Sequence, residues 1–314
     1  MRYTILVLIY VVLLTLHLQA PGSVEGDVQT TTYFCQEVDC ATLLLTVLEY
    51  NPQAQCAFYD IGEQRILEYV QTHNHTIYLH GDAIDTELQP HVIALDRPGL
   101  MHHKFCVYGD TVMTGSWNPT MRGTYLNDNY LLFLTHPAIA QAYRDELKRM
   151  RGFKRTAPLS IQNESSRFSV YFCPVHHCEA QVLKQVQEAN RSIDLLSFTF
   201  TSKPLQAALI EAKGRGVNIR FLQEKRQAHL SSIEEALAEA GAAVRFDGNS
   251  YTMHGKVWIL DNTTLILGSY NPTKAGTTKN DENLVILTGY SGLVEDFNEE
   301  FDRIWQEGII KPLA

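Results

Sequence analysis

Positive charge is scarce in this sequence. Its 314 residues hold 26 Lys and Arg against 35 Asp and Glu, a formal charge of -9. A surface of that balance does not draw in nucleic acid or anionic lipid as a whole, so a polyanion site must be a local basic patch. Charge of either sign is sparse: 19% charged against 45% hydrophobic residues excludes disordered and fibrous classes and leaves an ordinary globular protein. Such a length buries one large core or two medium ones. A comfortable membrane span is also missing, because the apolar run from Ile5 to Leu16 falls short of the roughly 20 residues a transmembrane helix needs.

That run nevertheless has the layout of a targeting segment. Arg2 stands before it, and Leu18-Gln19-Ala20 behind it resembles a small-residue cleavage site. Pro21 is awkward for cleavage. Residues 1–20 are therefore expected to be a signal peptide or an N-terminal anchor that could associate with a membrane. The expected protein is exported: secreted, or membrane-anchored facing outside the cytoplasm.

Six cysteines fit that expectation. Cys35 and Cys40 form C-x4-C in "YFCQEVDC", and Cys173 and Cys178 repeat it in "YFCPVHHC". An oxidising compartment favours a short-loop disulfide within each pair. The alternatives are zinc held by these thiols with His176 and His177, although the spacing is no standard zinc pattern, and free thiols. Cys56 and Cys106 sit in apolar, strand-like runs and are expected to be plain core residues.

The chain repeats itself. "MHHKFCVYGDTVMTGSWNPT" (Met101 to Thr120) returns as "MHGKVWILDNTTLILGSYNPT" (Met253 to Thr273). Around each phrase the same elements are expected in the same order: the Tyr-Phe-Cys run, a helix, an apolar strand, a second helix and strand, the phrase, a further strand and a terminal helix. In the terminal helices Ile139, Tyr143 and Leu147 share the spacing of Leu293, Phe297 and Phe301, so each trio lies on one face toward a core. The second copy is longer by an Ala- and Glu-rich helix from Ser231 to Ala240. The expected division is residues 32–150 for the first repeat, 151–167 for a basic, loosely patterned linker and 168–314 for the second repeat. Alternating strands and helices argue an α/β protein, a tandem duplication of an α-β-α sandwich with a pseudo-two-fold axis.

Within the phrase, Lys256 to Leu260 and Thr264 to Leu267 are expected to form a hairpin. Residues two apart on a strand point the same way, so His254 and Lys256 share a face, and the return strand brings Gly268, Ser269 and Asn271 beside them. Gly268 is expected to let the backbone approach a ligand. The same logic groups His102, Lys104, Ser116 and Asn118. This inventory suits a phosphodiester: imidazole serves as nucleophile or proton donor, Lys neutralises non-bridging oxygens, and Asn and Ser supply neutral donors. Two facing halves offer a nucleophile on one side of phosphorus and a leaving-group acid on the other, which is a reason for the duplication. Asp128 and Glu282, twelve and thirteen residues after Ser116 and Ser269, are expected each to orient the His of its own copy.

With these residues in place, the chain resembles the phospholipase D superfamily, whose signature is H-x-K-x4-D followed by G-S-x-N. The resemblance covers everything after residue 20 and lies nearest the nuclease-like and mitochondrial cardiolipin-hydrolase-like branch. The second copy fits throughout with His254, Lys256, Asp261, Gly268, Ser269 and Asn271; in the first, Gly109 holds the Asp position and Asp110 follows. The resemblance implies an active site between the halves and a two-step mechanism needing no cofactor or metal. His102 attacks phosphorus to give a phosphohistidine, His254 acts as acid and then base, and Lys104, Asn118, Lys256 and Asn271 hold the phosphate. The expected molecule is a monomer with an internal two-fold. The expected substrate is nucleic acid, with Arg122, Lys274 and Lys279 lining a groove. Membrane phospholipid is the alternative, with Trp117 and Tyr270 resting against acyl chains. A second basic cluster, Lys148, Arg149, Arg151, Lys154 and Arg155, is expected to be a solvated helix end and linker. An inactive binding or scaffold protein is the third reading, which loss of a His or Lys would favour; none is lost.

Overall fold

The computed structural model describes residues 22–84, 88–153 and 156–310, so the expected targeting segment at 1–20 lies outside the described residues. In chain order the first half runs β1 (Gly22–Glu25), β2 (Gln29–Phe34), α1 (Cys40–Tyr50), β3 (Gln55–Phe58), α2 (Gln64–Thr72), β4 (Thr76–His80), β5 (Ile93–Leu95), β6 (Lys104–Tyr108), β7 (Thr111–Gly115), α3 (Met121–Tyr125), β8 (Tyr130–Thr135) and α4 (Pro137–Met150). The second runs β9 (Leu159–Gln162), β10 (Arg167–Cys173), α5 (Cys178–Glu188), β11 (Ser192–Ser197), α6 (Lys203–Gly214), β12 (Asn218–Gln223), α7 (Ile233–Glu239), β13 (Ala243–Phe246), β14 (Lys256–Leu260), β15 (Thr264–Gly268), α8 (Lys274–Thr278), β16 (Glu282–Thr288) and α9 (Ser291–Glu307).

The duplication is written in the strand order. One sheet is β2-β8-β7-β6-β3-β4-β5; the other carries β10-β16-β15-β14-β11-β12-β13, the same order element for element, with β9 and β1 added at the edge. In both, the central strand pairs in parallel with its neighbour on one side and antiparallel with the H-x-K strand on the other.

Period-two alternation decides the layers. Cys56 and Phe58 face α1 and α2, while Ala57 between them faces the opposite way. Leu195 and Trp258 likewise pack against α5, α6 and α7, and their neighbours Leu196, Val257 and Ile259 face inward. The inner faces of both sheets meet one shared layer, α4 and α9, through Ile139, Tyr143, Leu147, Leu293, Phe297 and Phe301. The result is α-β-α-β-α, two sandwiches that own their central helices jointly. Burying both terminal helices between the sheets fixes how the halves face each other, and so fixes the site.

Two expectations change here. The stretch 151–167 is not wholly unpatterned: Leu159–Gln162 forms β9, antiparallel to β10, and β1 from the other end of the chain pairs beside it in parallel. Four residues alternating weakly with Ser and Gln carry too little hydrophobic signal for sequence to mark them as a strand. Cys56 and Cys106 are core residues but also a disulfide, because β3 and β6 place them directly opposite each other with Cα atoms 4.0 Å apart. Register is a long-range property, which is why sequence hid this pairing. Cys35–Cys40 and Cys173–Cys178 are bonded as well, so these thiols are not zinc ligands.

Candidate active site

His102 and His254 each stand two residues before the first position of an H-x-K strand, with Lys104 opening β6 and Lys256 opening β14. Each lysine folds back on its own copy: Lys104 Nζ donates to the His102 carbonyl at 2.9 Å and Lys256 Nζ to the His254 carbonyl at 2.7 Å. Both are buried, with Lys104 1% exposed, so each ammonium is committed to the site rather than to water. The two halves are then stitched across the site by matching backbone bridges. His102 N–H donates to the Asp281 carbonyl and Asp281 N–H to that of Leu100; His254 N–H donates to the Asp128 carbonyl and Asp128 N–H to that of Thr252.

The orienting partners cross over. His102 Nδ1 lies 2.8 Å from Glu282 Oε2, a carboxylate of the opposite half. His254 Nδ1 lies 3.0 Å from both Asn129 Oδ1 and the Ser116 carbonyl, again of the opposite half. The expectation that Asp128 and Glu282 each serve the His of their own copy is therefore corrected. Asp128 turns away, accepting from Gln36, from Asn249 Nδ2 at 2.8 Å and from Arg303 Nη2 at 2.9 Å. The counterpart of Glu282 is Asn129, and the sequence held the signal: both stand thirteen residues after the motif Ser. One imidazole faces a carboxylate and the other a neutral amide, so the site is chemically asymmetric.

Ser116 and Ser269 are occupied one layer out. Ser269 Oγ donates to Glu282 Oε2 at 2.7 Å and Ser116 Oγ to Asn129 Oδ1 at 2.9 Å, so they hold the orienting groups and are not aimed at a phosphate. Asn118 and Asn271 differ: each has a buried Oδ1 with no hydrogen-bond partner. The Thr and Pro that follow are structural. Thr120 and Thr273 cap α3 and α8. The Pro119 and Pro272 carbonyls accept backbone N–H groups from the loops after β3 and β11. Gly268 is required by the neighbouring strand, not by a ligand: at φ 130°, a Cβ there would sit 2.3 Å from the Asn283 carbonyl oxygen. Asp261 binds three consecutive backbone N–H groups, Asn190 to Ser192, and so ties the hairpin turn to β11.

Burial dominates the electrostatics. It drives both imidazoles well below their ordinary range, His102 further through Lys104 and Lys256, and His254 through Lys256, Lys104 and His102 itself. Each copy's Lys bears on the other copy's His, and the backbone bridges and crossed ring contacts to Glu282 and Asn129 bring the two H-x-K pairs together. Burial pulls the Lys104 ammonium down to about 7, opposed by Glu282 and Asp60, and takes Lys256 well below its usual value. Burial pushes the Glu282 carboxyl up to about 7, opposed first by Lys104. Tyr59 and Phe198 flank the two pairs: Tyr59 sits against the His102 ring and Phe198 edges the His254 ring at 4.7 Å. Neither was evident in the sequence, because both arrive from loops after β3 and β11.

Trp117 and Tyr270 are buried in the outer cores, with Trp117 Nε1 donating to Thr124 and the Tyr270 hydroxyl bonded to Thr277, so neither can meet an acyl chain. Arg122, Lys274 and Lys279 are exposed beside α3 and α8. The second basic cluster does not hold together: Lys148 pairs with Asp145, Arg151 is exposed, and Lys154 and Arg155 lie outside the described residues. Arg149, expected to be solvated, is instead buried against Glu146 and Asp281.

A family profile described as "Cardiolipin synthase, PLD-like domain" matches residues 51–151 and 182–305. Mitochondrial cardiolipin hydrolase of Xenopus tropicalis is 34% identical over 139 residues, 43% of this chain and 66% of that one. Its counterpart from Chlamydomonas reinhardtii is 31% identical over 142 residues, 42% of this chain and 63% of that one. The matched region thus spans under two thirds of the length of these curated relatives. Among solved structures, phosphatidylserine synthase of Haemophilus influenzae superposes with a TM-score of 0.72 over 90% of this chain and 87% of its own at 12% identity, a likeness of fold alone.

The expectation of export is overturned by these relatives, whose names are mitochondrial. One Arg before an apolar run is an address that charge and hydropathy do not fully specify. Among the described residues no helix is long and apolar enough to cross a membrane.

Proposed function

Because this chain belongs to the phospholipase D superfamily, we propose that it hydrolyses phosphodiesters through a phosphohistidine, with both copies contributing to one site. The observation that carries this reading is the crossed pairing: His102 backed by the other half's Glu282, and His254 backed by Asn129. A carboxylate on Nδ1 fixes the tautomer that leaves Nε2 unprotonated and stabilises the cation that forms on attack, which makes His102 the nucleophile. Its depressed pKa keeps the ring neutral and ready.

In the first step His102 Nε2 forms a bond to phosphorus as the bond to the leaving oxygen breaks, and that oxygen takes a proton from His254. In the second, His254 removes a proton from water, the water oxygen attacks phosphorus, and the N–P bond breaks to release a phosphomonoester and free His102. His254 must carry a proton when substrate is bound, although burial and the lysines disfavour it in the free site. An anionic phosphodiester between Lys104 and Lys256 offsets that repulsion, so substrate itself arms the acid. Asn118 and Asn271 complete the cradle by donating their side-chain amide N–H groups to phosphate oxygens.

For the substrate, the favoured reading is single-stranded nucleic acid. Exposed Arg122, Lys274 and Lys279 follow the two G-S-x-N segments, and the aromatics that would serve a lipid are buried. Phospholipid is the second reading, favoured by the names of the curated relatives. Purified protein and Lys256→Ala are compared on single-stranded DNA, RNA, phosphatidylcholine and cardiolipin. Lysine-dependent cleavage of the strands alone supports the first reading, cleavage of lipid alone overturns it in favour of the second, and no lysine-dependent cleavage overturns both.

A further inference from the structure

Each terminal helix carries the same short phrase, Glu146-x-x-Arg149 in α4 and Glu300-x-x-Arg303 in α9. The two forks are built alike. Arg149 Nε and Nη2 donate to the two Glu146 carboxylate oxygens at 2.7 Å each, and Arg303 does the same to Glu300, also at 2.7 Å. Each guanidinium then reaches an aspartate of the opposite copy, Arg149 to Asp281 and Arg303 to Asp128 at 2.9 Å.

Those aspartates occupy a particular place. Asp281 binds His102 N–H through its carbonyl, and the next residue, Glu282, contacts His102 Nδ1. Asp128 binds His254 N–H, and the next residue, Asn129, contacts His254 Nδ1. Holding the aspartate side chain therefore fixes both ends of a histidine, its backbone and its ring. Bidentate guanidinium forks suit this because their geometry is rigid.

We propose that Glu146–Arg149 and Glu300–Arg303 are two positioning clamps, each setting the register of one catalytic histidine through an aspartate of the opposite half. The inference rests on the reading of His102 and His254 as the reacting pair. The clamps differ in burial. The one behind His102 is closed off by His103 Nε2, 2.8 Å from Glu146, and by Arg97 Nε, 2.7 Å from Asp281, with Arg149 only 8% exposed. The one behind His254 leaves Arg303 33% exposed. The clamp behind the nucleophile is thus the more buried, and the one behind the acid, although Asp128 also accepts from Gln36 and Asn249, is the more exposed.

The test uses full-length Arg149→Gln, Arg303→Gln and Arg303→Lys, with bis(p-nitrophenyl) phosphate as probe and His102→Ala as control. Displacement of a reacting group by about 1 Å lowers turnover by up to roughly 100-fold, so each Gln variant is expected to lose about 10- to 100-fold in kcat with KM little changed. Arg303→Lys, which keeps the charge and loses the fork, recovers part of the loss. The 15N resonance of His254 Nδ1 is expected to move in Arg303→Gln while thermal melting stays cooperative. Folded variants with wild-type kcat and an unmoved resonance overturn the clamp. If Arg149→Gln does not fold, the half-exposed Arg303 series decides. If the wild type turns over the probe no faster than His102→Ala, the proposed reaction fails, and the imidazole resonance still judges the clamp by itself.

Discussion

Replacing Glu282 by Gln isolates what the crossed carboxylate does. Glu282 is fully buried, and its Oε2 accepts from both His102 Nδ1 and Ser269 Oγ, at 2.8 and 2.7 Å. A Gln carbonyl oxygen fits the same place and keeps both contacts, so shape survives and charge does not. What is lost is the charge-assisted part of the bond to a ring that becomes cationic as phosphorus is attacked. A hydrogen bond to a charged group contributes about 1.5–3 kcal/mol, which converts to a loss of roughly 10- to 100-fold in kcat. The pH dependence follows with a definite sign. A carboxyl raised to about 7 in the free site is mostly ionised above that pH, so wild-type kcat/KM falls as pH drops through about 7. The Gln variant lacks this limb and runs at its reduced rate across it. Steady-state kinetics from pH 5 to 9 measure both, with the range set by the ordinary titration window of such groups. Wild-type kcat in Glu282→Gln, or an unchanged acid limb, refutes the assignment of His102 as the carboxylate-backed nucleophile.

Three further outcomes are expected. His102→Ala and His254→Ala each abolish turnover of a natural phosphodiester, and normal activity in either refutes the shared site. Activity persists in excess chelator; complete inhibition reversed by magnesium contradicts the two-lysine mechanism. Cys56→Ser combined with Cys106→Ser, which opens a loop of sequence separation 50, lowers urea-unfolding stability by about 4 kcal/mol on the chain-entropy relation, and loss of Cys35–Cys40, separation 5, costs only about 2. Equal losses for the two pairs contradict that account.

What the sequence disclosed was local, and what it withheld was long-range. The H-x-K and G-S-x-N phrases are short and repeated, and periodicity marks the hairpin between them, which β6–β7 and β14–β15 form, with each His two residues ahead of its strand. The duplication was legible because two copies of one topology repeat one pattern. The partners of the histidines were not, because each comes from the opposite half and only the docking of α4 and α9 between the sheets brings it there. Counting from the motif Ser mis-set Asp128 by one residue; thirteen in both copies yields Asn129 and Glu282. Trp117 and Tyr270 looked like surface aromatics beside a reactive Asn, yet alternation along the chain turns them into the outer cores. Arg149 looked solvated at a helix end and is buried, because it lies on the face of α4 turned toward Glu146 and Asp281 inside the shared helix layer.

Rapid quenching tests the central claim most directly. With bis(p-nitrophenyl) phosphate the leaving group needs no acid, so His254→Ala should form the first intermediate and fail to hydrolyse it. Mass mapping of the quenched protein is predicted to find one phosphoryl adduct, on His102. An adduct on another residue, or none while p-nitrophenol is released in a burst, contradicts the account.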